Sequence, residues 1–234
     1  MTFLFLHGVN NTPNSWMGVC NRLEAQDFVT KALFLPPRDT VEAIAREMLT
    51  CLDSGPYWVI GHSFGGMVAL ALAEVAIEKI AGIALVNSIA GADTDEIRAA
   101  RFERIAKAEQ GGYRALATAA SSRAYHPQNQ SRQDLQTART SEIDQYGEGR
   151  FISHQKAMAA RPDRTAFLKQ LTCPKLAVIG DGDVVIPADK QRAMASECGM
   201  EFVVVDVAGH MLPMEQDEAL ADVLMKWAVS NQSS

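Results

Sequence analysis

Along residues 1–90, short continuous apolar runs alternate with segments whose apolar positions recur every three or four residues. Residues 2–6 (Thr-Phe-Leu-Phe-Leu) read as a strand, 15–25 as a helix, and 29–35 as a second strand that Pro36-Pro37 stops. Asp39 reads as the N-cap of the next helix, with Glu42 placed to reach back as in a capping box. Val41, Ile44, Ala45, Met48, Leu49 and Leu52 share one face at helical spacing, and Gly55-Pro56 ends the pattern. An apolar run at 57–60 then meets Gly61-His62-Ser63-Phe64-Gly65 and continues into apolar residues 67–73. That order predicts a buried strand, a very tight turn and a buried helix, followed by another strand at 80–87.

From 91 to 171 the pattern changes. Charge rises, and helices are expected at 93–110, 113–122, 132–146 and 152–160, broken at Gly111-Gly112 and His126-Pro127. A buried strand returns at 175–179, then a helix at 187–198 and a last strand at 201–207. The closing helix shows Leu220, Val223, Leu224 and Trp227 on one face, and 230–234 read as a frayed tail. Strands alternating with helices predict an α/β fold, a mostly parallel sheet covered on both faces. Residues 91–171 are too long for a simple crossover and read as a helical cap inserted into a core made of 1–90 and 172–234. A separate helical domain fits less well, because strands resume directly after the block.

Composition narrows the class. The 234 residues suffice for one sizeable domain, and 47% hydrophobic with 21% charged residues is ordinary for a globular chain. A net charge of -6 argues against an electrostatic nucleic-acid binder. Cys20, Cys51, Cys173 and Cys198 are widely separated, with neither C-x-x-C nor metal-ligand spacing, which fits a reduced cytoplasmic setting. No apolar run is long enough to span a bilayer, and the N-terminus lacks the basic flank of a signal peptide.

The tight turn is the strongest chemical signal. Glycines two residues either side of Ser63 let strand and helix approach, and the strained turn presents the hydroxyl above the sheet. A serine hydroxyl is a weak nucleophile and needs a base, which in turn needs an orienting acid. Five histidines compete. His62 is expected to pack in the core, His7 to brace a loop, and His126 and His154 to lie on the surface of the helical block. His210, between the last strand and the last helix, can reach the top of the sheet. The acid is expected after the strand at 175–179, where Asp181 and Asp183 compete; Asp206 is a weaker candidate.

The order Ser63, Asp183, His210 resembles that of the α/β-hydrolase superfamily. Four segments carry the resemblance: His7-Gly8-Val9-Asn10 through Trp16, Gly61 to Gly66, Gly180-x-x-Asp183-x-x-x-Pro187, and Gly209-His210-Met211-Leu212-Pro213-Met214-Glu215. A weaker one, Met158 to Asp163, resembles small capped esterase-like members. The resemblance favours Asp183 over Asp181 and implies an oxyanion hole of the Val9 and Phe64 backbone N–H groups, whose side chains then shape only the pocket. Family members often begin with an antiparallel hairpin; this chain opens directly on the His-Gly strand, implying about six parallel strands.

The activity so implied is a serine hydrolase cleaving carboxylic esters with small to medium apolar groups through an acyl-enzyme on Ser63. No metal or organic cofactor is expected, and the partner is a small-molecule ester rather than nucleic acid or membrane. Met67, Val184, Val185, Met211 and Leu212 are expected to line the pocket. A thioester, a lactone, a C–C bond, or a ligand held by a low-turnover receptor on the same scaffold are the alternatives, since fold alone does not separate them.

Overall fold

The computed structural model of the protein describes residues 1–232. In chain order it runs β1 (Thr2–Leu6), α1 (Met17–Glu24), β2 (Val29–Leu33), α2 (Val41–Leu49), β3 (Tyr57–His62), α3 (Phe64–Val75) and β4 (Ile80–Val86). Then come α4 (Asp95–Lys107), α5 (Tyr113–Ala124), α6 (Gln133–Tyr146), α7 (Glu148–Ala160) and α8 (Thr165–Gln170). The chain closes with β5 (Lys175–Gly180), α9 (Ala188–Cys198), β6 (Glu201–Val205), α10 (Leu212–Glu215) and α11 (Asp217–Ser230). Ser230 is therefore helical rather than frayed, and Ser233 and Ser234 of the expected tail lie outside the described residues.

The six strands form one sheet in the order β2-β1-β3-β4-β5-β6, and every pairing is parallel. Successive side chains of a strand point to opposite faces, so each strand feeds two cores. Leu4, Leu6, Val59, Ile83 and Leu85 pack on one side with Val41, Ile44 and Met48 of α2 and the apolar body of α3. Phe3, Phe5, Trp58, Ile60 and Val86 pack on the other with Val19 and Leu23 of α1 and Leu220, Leu224 and Trp227 of α11. Burial on both faces explains why these strands read as continuous apolar runs rather than alternating ones.

Two expectations are corrected at the helices. The N-cap of α2 is Thr40, not Asp39: Thr40 has extended backbone angles, and its hydroxyl accepts the Ala43 N–H at 3.2 Å. Glu42 consequently falls one position short of a capping box and pairs with Arg164. The helix expected over 93–110 stops at Lys107. Ala108 to Gly112 make a wider turn with Gly111 at φ 81°, a conformation glycine adopts without a steric penalty. The six-residue α8 went unforeseen, being too short to display a helical period.

Candidate active site

The strand order reverses between β1 and β3, the place where open α/β sheets leave a crevice at the carboxyl ends of their strands. Loops leaving β1, β3, β5 and β6 meet there. At the β3–α3 junction Ser63 holds φ 52°, ψ −117°, a conformation that side-chain-bearing residues rarely adopt. The surrounding contacts enforce it. A Cβ on Gly61 would collide with the backbone of Gly65 and Gly66, and one on Gly65 with the Leu6 and His7 carbonyls. The Ser63 N–H donates to the Val86 carbonyl at 2.9 Å, and the Ser88 hydroxyl donates to the Ser63 carbonyl at 2.7 Å. The turn is thus tied to the end of β4.

His210 Nε2 lies 2.9 Å from Ser63 Oγ, and its Nδ1 lies 3.1 and 3.0 Å from the two carboxylate oxygens of Asp183. The Asp183 carboxylate is closed off from solvent and accepts four further hydrogen bonds. They come from the N–H groups of Val185 (2.8 Å) and Ile186 (3.0 Å), Asn87 Nδ2 (2.5 Å) and Gln191 Nε2 (3.2 Å). Burial works against its charge, but His210 and the donors outweigh that and hold its pKa down at about 2. An ionised Asp183 favours the tautomer with the proton on His210 Nδ1, leaving Nε2 to accept a hydrogen bond from the Ser63 hydroxyl.

Asp181 plays a different part. Its Oδ1 accepts the Ala208 N–H at 3.1 Å and so braces the loop before His210. Asp206 is exposed. Among the described residues neither aspartate has a hydrogen bond or ion pair with His210.

The other histidines are structural, in ways the sequence only partly suggests. His7 is buried; its Nδ1 donates to the Gly8 carbonyl at 2.8 Å and its Nε2 accepts the Leu35 N–H at 3.0 Å, bracing the loop as expected. His62 is buried as expected, but its Nε2 donates to the His210 carbonyl at 2.7 Å and its ring borders the site. His154 is not on the surface. It is buried between the Tyr146 hydroxyl (2.6 Å) and the Pro36 carbonyl (2.9 Å), and it stacks at a tilt on Phe64. Burial pushes His7 and His62 down to about 3 and His154 to about 4, so all three stay neutral near pH 7. His126 is half-buried; its Nδ1 accepts the Gln128 N–H at 3.2 Å.

Three residues with no sequence-level role prove important to this arrangement. Asn87 and Gln191 hold Asp183. Glu215, buried, accepts the Gly209 N–H at 2.8 Å with one oxygen; with the other it accepts the His126 N–H and Asn129 Nδ2, both at 2.8 Å. One carboxylate therefore fastens the His210 loop to the helical block. Only Glu215 left a signal, as the last residue of the histidine-loop motif.

Ser63 and His210 open onto a cleft of about 470 Å³. Val9, Met67, Val185 and Met211 line it, with residues from α4 to α7 opposite. Two expected pocket residues do not: Val184 is 70% exposed, and Leu212 is turned into the core against the sheet. Phe64 likewise shapes no pocket, since its side chain is fully buried beneath α7. Its N–H opens α3 and has no helical carbonyl to bond, leaving a donor at the positive end of a helix dipole. Among the described residues no group of three or more His, Cys, Asp or Glu is placed to hold a metal ion, and no helix is long and apolar enough to cross a membrane.

Comparison with known proteins places this geometry in context. The model of a family described as "Alpha/beta hydrolase family" matches residues 3–223. A curated protein of Haemophilus influenzae, named "Putative 2-succinyl-6-hydroxy-2,4-cyclohexadiene-1-carboxylate synthase", is 31% identical over 119 positions. That match covers 44% of this chain and 47% of the relative, so the chain matches about half the relative's length. Similar solved structures include a thermophilic esterase from Thermogutta terrifontis in a malate-bound form (TM-score 0.87, 24% identity, 100% of this chain and 91% of that one). Others are the enol-lactonase from Burkholderia xenovorans LB400 (TM-score 0.87, 19% identity, 97% and 91%) and MenH from S. aureus (TM-score 0.86, 17% identity, 100% and 95%). At these identities the solved structures speak to the fold.

Proposed function

The chain belongs to the alpha/beta hydrolase family, and from that premise we propose that it is a serine hydrolase of carboxylic esters working through Ser63, His210 and Asp183. His210 takes the Ser63 proton as the oxygen attacks the ester carbonyl. Asp183 holds the imidazole and stabilises its charge. The tetrahedral oxyanion is met by the N–H groups of Val9 and Phe64, donors of a kind worth about 3–4 kcal/mol each in other hydrolases. The alcohol leaves with the proton from His210, an acyl-enzyme remains on Ser63, and water activated by His210 releases the acid. Residues 91–171 act as a cap, supplying the wall of the cleft opposite the serine through α4 to α7. The observation that carries this reading is the continuous row from Ser63 Oγ to His210 to Asp183, at 2.9 and 3.0 Å.

The test is an ester, thioester and lactone panel run on wild type and Ser63→Ala together. Wild type should turn over p-nitrophenyl acetate or butyrate many times. Ser63→Ala should lose activity on the order of a millionfold with an unchanged far-UV spectrum. Activity retained in that variant would remove Ser63 as nucleophile. A single burst without turnover would mark a receptor.

A further inference from the structure

The cleft has the opposite charge to the chain. Overall there are 22 Lys and Arg against 28 Asp and Glu. Yet five of those cations, Arg101, Arg104, Arg139, Arg161 and Lys190, line the cleft beside Ser63, against one carboxylate, Asp93. Two of the five are already committed. Asp93 is buried and shared by Arg101 and Arg161; burial opposes its charge, but their hydrogen bonds and charges prevail and hold its pKa below the ordinary value. Among the described residues the side chains of Arg104 and Lys190 have no hydrogen bond or ion pair. Arg139 is the most unusual. It is 6% exposed, and its acceptors are all neutral: Ser121 Oγ at 2.9 Å, the Asn10 carbonyl at 2.5 Å and Asn11 Oδ1 at 3.3 Å. Those bonds use Nε and Nη1, so Nη2 has no acceptor among the described residues. The nearby Glu142 carboxylate is turned instead to the N–H and hydroxyl of Thr12. A buried guanidinium with no direct counter-ion is costly, and an anion in the cleft would supply one.

We infer that the substrate is an anion: besides the carbonyl that Ser63 attacks, it carries a carboxylate or phosphate group held by Arg139 and met at the cleft mouth by Arg104 and Lys190. This deepens the proposed function and rests on it for the reacting carbonyl, but not for the binding. A guanidinium presents paired donors to either group. A cleft lined by cations concentrates anions at the serine even though the chain as a whole is acidic.

Binding and turnover test this separately. Calorimetry on Ser63→Ala with succinate, inorganic phosphate and the uncharged butyramide reads the anion site without chemistry. Succinate or phosphate should bind, and whichever binds more tightly identifies the group. Arg104→Gln and Lys190→Gln, at exposed positions that spare the fold, should each weaken that binding by about tenfold. Turnover of the mono-p-nitrophenyl ester of succinic acid should exceed that of p-nitrophenyl butyrate in kcat/KM, and the ratio should shrink towards one in 0.5 M salt. Arg139→Gln should lower the ratio further, and Arg139→Lys should restore part of it. Succinate and phosphate binding no better than butyramide, or a salt-independent ratio at or below one, overturns the inference. If neither ester is hydrolysed while the anions bind in an Arg104-dependent way, the serine-hydrolase reading fails and the anion site stands.

Discussion

At the level of single residues, the site depends on which of two neighbouring aspartates meets His210. Asp181 and Asp183 are both close to the end of β5, yet Asp183 alone points inward to a ring of five donors, while Asp181 caps the Ala208 N–H. We expect Asp183→Asn to cut kcat by about 10⁴, because the amide would favour the wrong imidazole tautomer. Asp181→Asn should leave kcat within about tenfold of wild type, since an amide oxygen can still accept the Ala208 N–H. Steady-state kinetics of the two variants side by side decides the assignment. This choice was visible in sequence only through the family's spacing. No local rule distinguishes two aspartates separated by a single glycine in a loop. Asn87 and Gln191 had no signal at all, because a neutral amide becomes an acid's partner only when the chain folds it there.

Among the elements, the helices were easier to locate than their ends. The periodicity of α2 was readable, since Val41, Ile44, Ala45 and Met48 are the residues it buries. Its cap was misplaced by one position, because Asp39 and Thr40 are both good caps and backbone angles choose between them. Thr40→Ala should therefore destabilise the protein by about 1 kcal/mol. Asp39→Ala, which removes only an exposed pair with Lys156 at 3.6 Å, should cost less than about 0.5 kcal/mol. Urea denaturation of both variants measures the difference; a larger loss in Asp39→Ala than in Thr40→Ala would return the cap to Asp39. The β3–α3 turn was the best-defined element in sequence, because only glycine at 61 and 65 lets the backbones of strand and helix approach so closely.

For the molecule as a whole, three buried histidines create a common acid sensitivity. His7, His62 and His154 have ordinary pKa values of 6.5 that burial lowers to about 3, 3 and 4. Below pH 6.5 the unfolded chain takes up protons that the fold refuses, so stability is lost as pH falls from about 6.5 towards 4. Where all three contribute, the slope approaches about 4 kcal/mol per pH unit. Asp183 contributes in the same direction but lower: its support is intact above pH 3.8 and is lost as pH falls through about 2. Thermal melts between pH 7.5 and 4.5 should show Tm dropping steeply below pH 6; a flat Tm across that interval contradicts the account.

The apolar runs and their spacing determined an α/β chain with a parallel, doubly covered sheet, because burial on both faces demands strands of that kind. The Gly-x-Ser-x-Gly turn likewise lay within one loop, where local geometry leaves a local pattern, and the order of serine, aspartate and histidine was legible through its resemblance to the family. Tertiary structure alone decided what depends on residues distant in the chain. It set Glu215 between the His210 loop and residues 126 and 129, turned Leu212 and Phe64 into the core, and left Val184 in solvent. It also gathered five cations from α4, α6, α9 and the end of α7 around one serine. A charge count over the whole chain reads −6. The field at a cleft depends on which charges face it, and only the packing of helices on a sheet determines that.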